Sequence, residues 1–184
     1  GEIDVEIFLP LENNGSNMRE LVKNTAKEFN AANLKSANGQ IMSVSIRALD
    51  SSLAEDFINS KSYMPKGYIA PNELCSALLQ ANGIEVQMIS SKLVGNTMGI
   101  AIAKEKYDEL AETGSVAISD IVKANIDGKV SIGYTNPTNN PTGLNFVVSM
   151  LAYFDASNPN SFEATTNFAN FQNTVPAVSY STEQ

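Results

Sequence analysis

The stretch Ile3-Asp4-Val5-Glu6-Ile7-Phe8-Leu9 alternates apolar and acidic residues and closes on an apolar pair, and the rest of the chain can be read outward from it. The alternation has the period of a β-strand with one face turned to a core. A turn-rich segment, Pro10 to Ser16, follows it. Met18, Leu21, Val22, Thr25, Ala26 and Phe29 then recur at three-and-four spacing, which predicts a helix, with Asn17 as N-cap and Glu20 closing a capping box. Past the turn Asn38-Gly39, Met42, Val44, Ile46 and Ala48 alternate with Ser43, Ser45 and Arg47 as a second strand. Ser52 and Glu55 supply a second capping box, ahead of Leu53, Ala54, Phe57 and Ile58. Tyr68-Ile69-Ala70 reads as a short buried strand, and Pro71-Asn72 opens a helix carrying Leu74, Cys75, Leu78 and Leu79 that stops at Asn82-Gly83. The pattern β-α-β-α-β-α predicts an α/β fold with a parallel sheet flanked by helices.

The second half has a different grammar. Val86 to Leu93 reads as a strand and a crossing segment, Gly95-Asn96-Thr97-Met98-Gly99 as a glycine-flanked hinge, and Ile100–Ala103 as an apolar strand. Lys104 to Glu112 is a charged helix. A helix from about Ser119 to Asn125 leads through Asp127-Gly128 to a strand at Val130–Tyr134. The loop Thr135 to Pro141 precedes a helix beginning at Thr142-Gly143, and Asn160 with Glu163 caps a last one that runs to about Phe171. The chain therefore divides into 1–93, a hinge at 94–97, and 98–184.

Composition bounds what the chain does. It has 184 residues, 43% of them hydrophobic and 17% charged, enough for a sizeable core and too apolar for disorder. Twelve basic residues stand against 20 acidic ones, a formal charge of −8. That balance excludes the basic footprint of a nucleic-acid binder or of a polybasic membrane-surface protein. There is no histidine, so a Ser-His-Asp triad, a Cys-His pair and His-ligated zinc are all excluded. The single cysteine, Cys75, allows neither an internal disulfide nor a cysteine metal cluster, and its helical spacing with Leu74 and Leu78 marks it as a core residue. No apolar run reaches the roughly 18–20 residues of a membrane span. After Lys129 the chain has no basic residue and only Asp155, Glu163 and Glu183 as acids. That low-charge, Asn- and Ser-rich surface suits a secreted or periplasmic protein.

Three strand-to-helix turns, Asn13–Asn17, Asp50–Ser52 and Pro71–Asn72, carry small polar residues where ligands sit in parallel sheets. The loop Thr135–Gly143 is stiffened by Pro137 and Pro141 and on its residues alone reads first as an ordinary stiff loop with a Thr cap. The alternative is an anion site, with free N–H groups at the helix start and Gly143 permitting close approach to the backbone. Gly95–Gly99 lacks the Gly-Lys-Ser/Thr of a Walker motif. Asp108, Glu109 and Glu112, interleaved with Lys104 and Lys106, make a solvated helix face and not a catalytic pair.

The helix phrase Ala26-Lys27-Glu28-Phe29-Asn30, the segment Tyr68 to Leu74, the hinge-like 93–103 and the phrase Gly133-Tyr134-Thr135-Asn136-Pro137 with Thr142-Gly143-Leu144 together carry a resemblance. The chain resembles, over nearly its whole length, the bacterial extracellular solute-binding proteins of type II periplasmic-binding fold, in the group often fused to a von Willebrand factor A domain. Two departures stand out: the chain has no tryptophan, where family members usually carry one or another bulky residue near the place of Cys75, and it stops about where the fold's return to the first lobe would begin. No Asp-x-Ser-x-Ser metal phrase is present either. The resemblance implies two α/β lobes with a ligand in the cleft between them, and a C-terminal return to the first lobe that this chain lacks, as in a truncated form. It implies a cleft lined by Asn13, Ser51, Ser52 and Asn72 from the first lobe, Asn96 and Thr97 at the hinge, and Asn136, Thr142 and Gly143 from the second.

The expectation is then a non-enzymatic extracellular or periplasmic binding protein for a small polar molecule or oxyanion, with no cofactor, no metal and no nucleic-acid partner. It would serve an ABC permease or a sensor and be held at the membrane by a lipid anchor outside this chain. The alternative is a cell-surface interaction or structural module that keeps the fold without a ligand. An enzyme built on a carboxylate or lysine ranks last, since nothing in the sequence positions one.

Overall fold

The computed structural model describes residues 2–11, 16–93, 98–111 and 114–180. It is an α/β protein that divides into two compact units, Gly1–Leu93 and Val94–Gln184.

In the first unit, β1 (Glu2–Pro10), α1 (Ser16–Ala31), β2 (Ile41–Leu49), α2 (Ser51–Asn59), β3 (Gly67–Tyr68) and α3 (Glu73–Ala81) alternate along the chain. The three strands are parallel, in the order β2-β1-β3. β1 and β2 pair over their full lengths, from Glu2 opposite Ile41 to Pro10 opposite Leu49. The two-sided pattern read in β1 has a direct consequence. Phe8 and Leu49 lie on one sheet face and join Ala54 and Ile58 of α2, Leu79 of α3 and Ile84 in a core, with Phe57 and Tyr68 packed against it. The same face turns polar toward the amino ends of the strands. There Asp4 accepts hydrogen bonds from Ser43 and Ser45, and Glu6 accepts one from the Tyr63 hydroxyl and pairs with Arg47 at 3.6 Å. Cys75 is a buried thiol on α3, in the interior as its spacing implied.

The outer edge of β2 is closed by α1. The Asn30 side chain donates to the Val44 carbonyl at 2.9 Å and accepts from the Val44 N–H at 2.8 Å, standing where a further strand would pair. An exposed edge with free N–H and C=O groups invites aggregation, and this amide removes the invitation. α1 begins at Ser16, so Asn17 lies inside the helix and not at its N-cap. For α2 the N-cap is Asp50, and its side chain makes no capping bond, so the expected Ser52–Glu55 box does not form. β3 is Gly67–Tyr68, one residue earlier than the reading Tyr68–Ala70, because Gly67 and Tyr68 are the residues that face Ile7 and Phe8.

The second unit holds α4 (Lys104–Leu110), α5 (Ile118–Ile126), β4 (Gly133–Thr135), α6 (Pro141–Phe154), α7 (Phe162–Gln172) and β5 (Ala177–Ser179). β4 and β5 pair in parallel, and the core gathers Ile121 and Val122 of α5, Ile132, Met150 of α6 and Phe171 of α7. The charged face of α4 is laced by Lys104–Asp108 at 2.5 Å and Lys106–Glu109 at 2.8 Å. Asn125, 1% exposed, is its polar keystone: it accepts from the Ile132 N–H at 3.0 Å and donates to Thr174 Oγ1 at 2.5 Å.

Several elements differ from the sequence reading. The strand expected over Val130–Tyr134 shrinks to Gly133–Thr135 because α5 claims the residues before it: Lys129 and Val130 donate to the Ala124 carbonyl and Ile132 to Asn125. Ile100–Ala103 and Val86–Leu93 form no strand, having no ladder partner among the described residues. β5 was not anticipated at all. The N-cap of α7 is Ser161, which accepts from Ala164 N, and not Asn160. The hinge expected at 94–97 lies outside the described residues.

Candidate functional site

In the first unit, parallel pairing brings the carboxyl ends of all three strands to one edge. The chain leaves the central strand β1 for β2 on one side and then crosses to β3 on the other. The connections on the two sides of β1 therefore run in opposite senses, and that edge is the usual ligand position of an open α/β sheet. Ser51 and Ser52 follow β2 as the first residues of α2, with Ser51 buried and Ser52 half-buried. Asn72 follows β3 as the N-cap of α3. The third turn, with Asn13, lies outside the described residues, as do Asn96 and Thr97.

Two groups at this edge are buried without a hydrogen-bond partner among the described residues. Asn72 uses Oδ1 to accept from Cys75 N at 3.0 Å, which caps α3 and aims its amide nitrogen away from the helix; that Nδ2 is buried and makes no hydrogen bond. Arg19, in the first turn of α1, likewise has a buried Nε with no hydrogen-bond partner among the described residues. A buried donor left unsatisfied costs about 1–3 kcal/mol, and more when charged. Both donors sit at the starts of helices that follow adjacent strands. The sequence reading passed over Arg19, although its place in the first turn of the helix after β1, in a chain with only two arginines, was the signal available.

In the second unit, Asn136, Thr142 and Gly143 gather at the carboxyl end of β4. The loop is largely self-satisfied. Asn136 Oδ1 accepts from the Thr138 N–H and hydroxyl, and the Asn136 carbonyl accepts from Asn139 and Asn140. At the start of α6, Pro141 has no N–H and the Thr142 N–H donates to the Asn140 side chain at 2.9 Å. Two of the donors that were expected to await an anion are thus absent or capped.

Gly143 requires a correction. It is buried, and a Cβ added to it would lie 1.8 Å from the Thr135 carbonyl oxygen. The close approach it permits is between α6 and β4 of its own unit, not between backbone and ligand. Thr142 is exposed and lines a cavity of about 470 Å³ together with residues 98–103 and 129–135.

Titration behaviour in this unit follows local bonding. Asp155, at the end of α6, accepts from the Ser157 hydroxyl and N–H and the Asn158 N–H, and these bonds, with one from Ser161, hold its carboxyl down at about 2. Burial raises the Tyr134 hydroxyl, partly offset by its bond to Gln172. No group of three or more Asp, Glu or Cys that could hold a metal ion occurs among the described residues.

Compared with protein-family models, with curated proteins and with solved structures, the chain matches none.

Proposed function

We propose that this chain is a non-enzymatic extracellular or periplasmic solute-binding protein that captures a small polar or anionic ligand, for import through an ABC permease or for sensing. The observation that carries the reading is a pair of buried donors, Arg19 Nε and Asn72 Nδ2, that have no hydrogen-bond partner among the described residues and belong to the helix starts after β1 and β3. Donors desolvated without a protein acceptor are completed by a ligand oxygen, and a guanidinium favours carboxylate or oxyanion geometry. The type II two-lobed fold, with a ligand between lobes, belongs to this proposal and rests on the sequence resemblance.

The test is a thermal-shift and calorimetry panel of oxyanions, carboxylates, sugars and amino acids. A ligand at 100 times its Kd stabilises the fold by about 2.7 kcal/mol. Arg19→Met and Asn72→Ala should each abolish the shift produced by the best ligand while leaving a cooperative fold. A ligand whose affinity neither substitution changes removes the reading.

The cell-surface interaction module remains a second reading because Ile89 and Phe162 are 85% and 87% exposed. The two lie on separate units, and the module reading needs each to belong to a wider apolar patch that a partner covers. A panel that shifts nothing, with Arg19→Met as stable as the parent chain, favours this module over the solute-binding protein.

A further inference from the structure

We propose that the cavity inside the second unit is a binding site for a small amphipathic carboxylate, with Lys129 as the group that receives its charged end. The cavity belongs to one unit alone, so the inference is independent of the solute-binding reading above. Its volume, about 470 Å³, lies within the range of small-molecule sites. Its walls are mostly apolar, with Ile100 and Ile102 from the segment 98–103, Ile132 ahead of β4, and Phe146 of α6.

Charge decides the class of ligand. The chain carries 20 acidic residues, yet no described one lines this cavity, while Lys106 and Lys129 both do. Of the four lysines in 98–184, Lys104, Lys106 and Lys123 are paired with Asp108, Glu109 and Asp127. Lys129 makes no ion pair among the described residues, although its charge contributes to holding the Asp127 carboxyl below its usual range. An apolar cavity with an unpaired cation on its wall complements a ligand with an apolar body and one anionic end. A metal ion fits it poorly, since two lysines and no described acidic residue line it.

The backbone adds a second receptor. Apart from the Ala103 carbonyl, which accepts from Tyr107 N, the peptide groups of 98–103 make no backbone hydrogen bond among the described residues. These residues line the cavity together with Lys129, so the proposal places the ligand's polar end against both.

The probe is octanoate, with octan-1-ol and octylammonium as neutral and cationic controls of equal chain length. Protein labelled at isoleucine methyls is titrated with each and followed by NMR. The expected result is saturable octanoate binding that moves the Ile100, Ile102 and Ile132 methyls, about ten-fold tighter than octan-1-ol because a charge-assisted bond is lost in the alcohol. Lys129→Gln should weaken octanoate about ten-fold and leave octan-1-ol unchanged. Lys123→Gln, on a lysine that does not line the cavity, should change neither. The proposal is overturned if octan-1-ol or octylammonium binds as well as octanoate, if the shifts fall outside the cavity, or if Lys129→Gln has no effect. Absence of saturable binding below about 10 mM, weaker than any useful site, overturns it too. So do exchange-protected amides at 100–103 with strand contacts to β4 in the free protein, since a strand there would fill the cavity.

Discussion

Replacing Gly143 with alanine isolates a single steric contact between α6 and β4. An added Cβ would lie 1.8 Å from the Thr135 carbonyl oxygen, 2.6 Å from its carbon and 2.9 Å from its hydroxyl, all inside the 3.0 Å that real Cβ contacts essentially never breach. Two of the three atoms are backbone, so no rotamer change relieves the clash. The first turn of α6 must retreat from β4 by more than an ångström. That retreat strains the buried contact of Thr135 with Asn140 and loosens Phe146 and Met150 against the core. Overpacking of this kind costs about 1–3 kcal/mol, and the rigid neighbour puts this site at the upper end. Alanine recovers about 1 kcal/mol of helix propensity, leaving a net loss of about 2 kcal/mol. The assay is urea unfolding followed by far-UV circular dichroism, with Thr142→Ala as the exposed neighbouring control, expected within about 0.5 kcal/mol of the parent. A Gly143→Ala protein as stable as the parent, or more stable by the propensity gain, would refute the close-approach reading. A confirmed loss means that impaired ligand binding in any Gly143 variant reports the damaged helix-strand contact first.

Asn125→Ala should lower stability by about 3 kcal/mol in the same unfolding assay, because the buried Ile132 N–H loses its acceptor and Thr174 its donor. Asn30→Asp keeps an acceptor for the Val44 N–H but sets a carboxylate against the Val44 carbonyl. It should cost about 1–2 kcal/mol, with oligomers on size-exclusion chromatography as the β2 edge opens. Acid should weaken the fold in part through Asp155, whose carboxyl titrates at about 2 in the folded chain against 3.8 ordinarily. The unfolded chain then takes up this proton first, so the stabilisation present above about pH 4 is lost as pH falls toward 2. Stability measured from pH 5 to pH 2 should decline less steeply in Asp155→Asn than in the parent, and parallel curves would dismiss the assignment.

Helices were legible in the chain because what makes them lies within four residues of itself. The apolar spacing of 18–29, the cap at Asn72 and the core position of Cys75 all follow from local periodicity and local hydrogen bonds. The alternation in β1 likewise revealed a two-faced strand and, with the helices between, a parallel α/β arrangement. Strand partners are another matter. Ile100–Ala103 has the composition of a strand, but a strand exists only with a ladder, and α5 draws residues 129–132 out of reach of one. The short strand β5 is set by its place beside β4, which no local pattern encodes.

The candidate site divides along the same line. Composition alone removed imidazole and thiol-cluster chemistry, and strand-to-helix order located the turns at Ser51–Ser52 and Pro71–Asn72. What those residues do depends on contacts between distant segments. Gly143 reads as an opening for a ligand until Thr135 is seen against it, and Asn30 reads as a family phrase until it is found bonded to Val44. Arg19 becomes a candidate, and Asn72 gains a physical reason to be one, only once burial has stripped water from their donors with no acceptor among the described residues. Desolvation is a property of packing, and packing is decided in three dimensions.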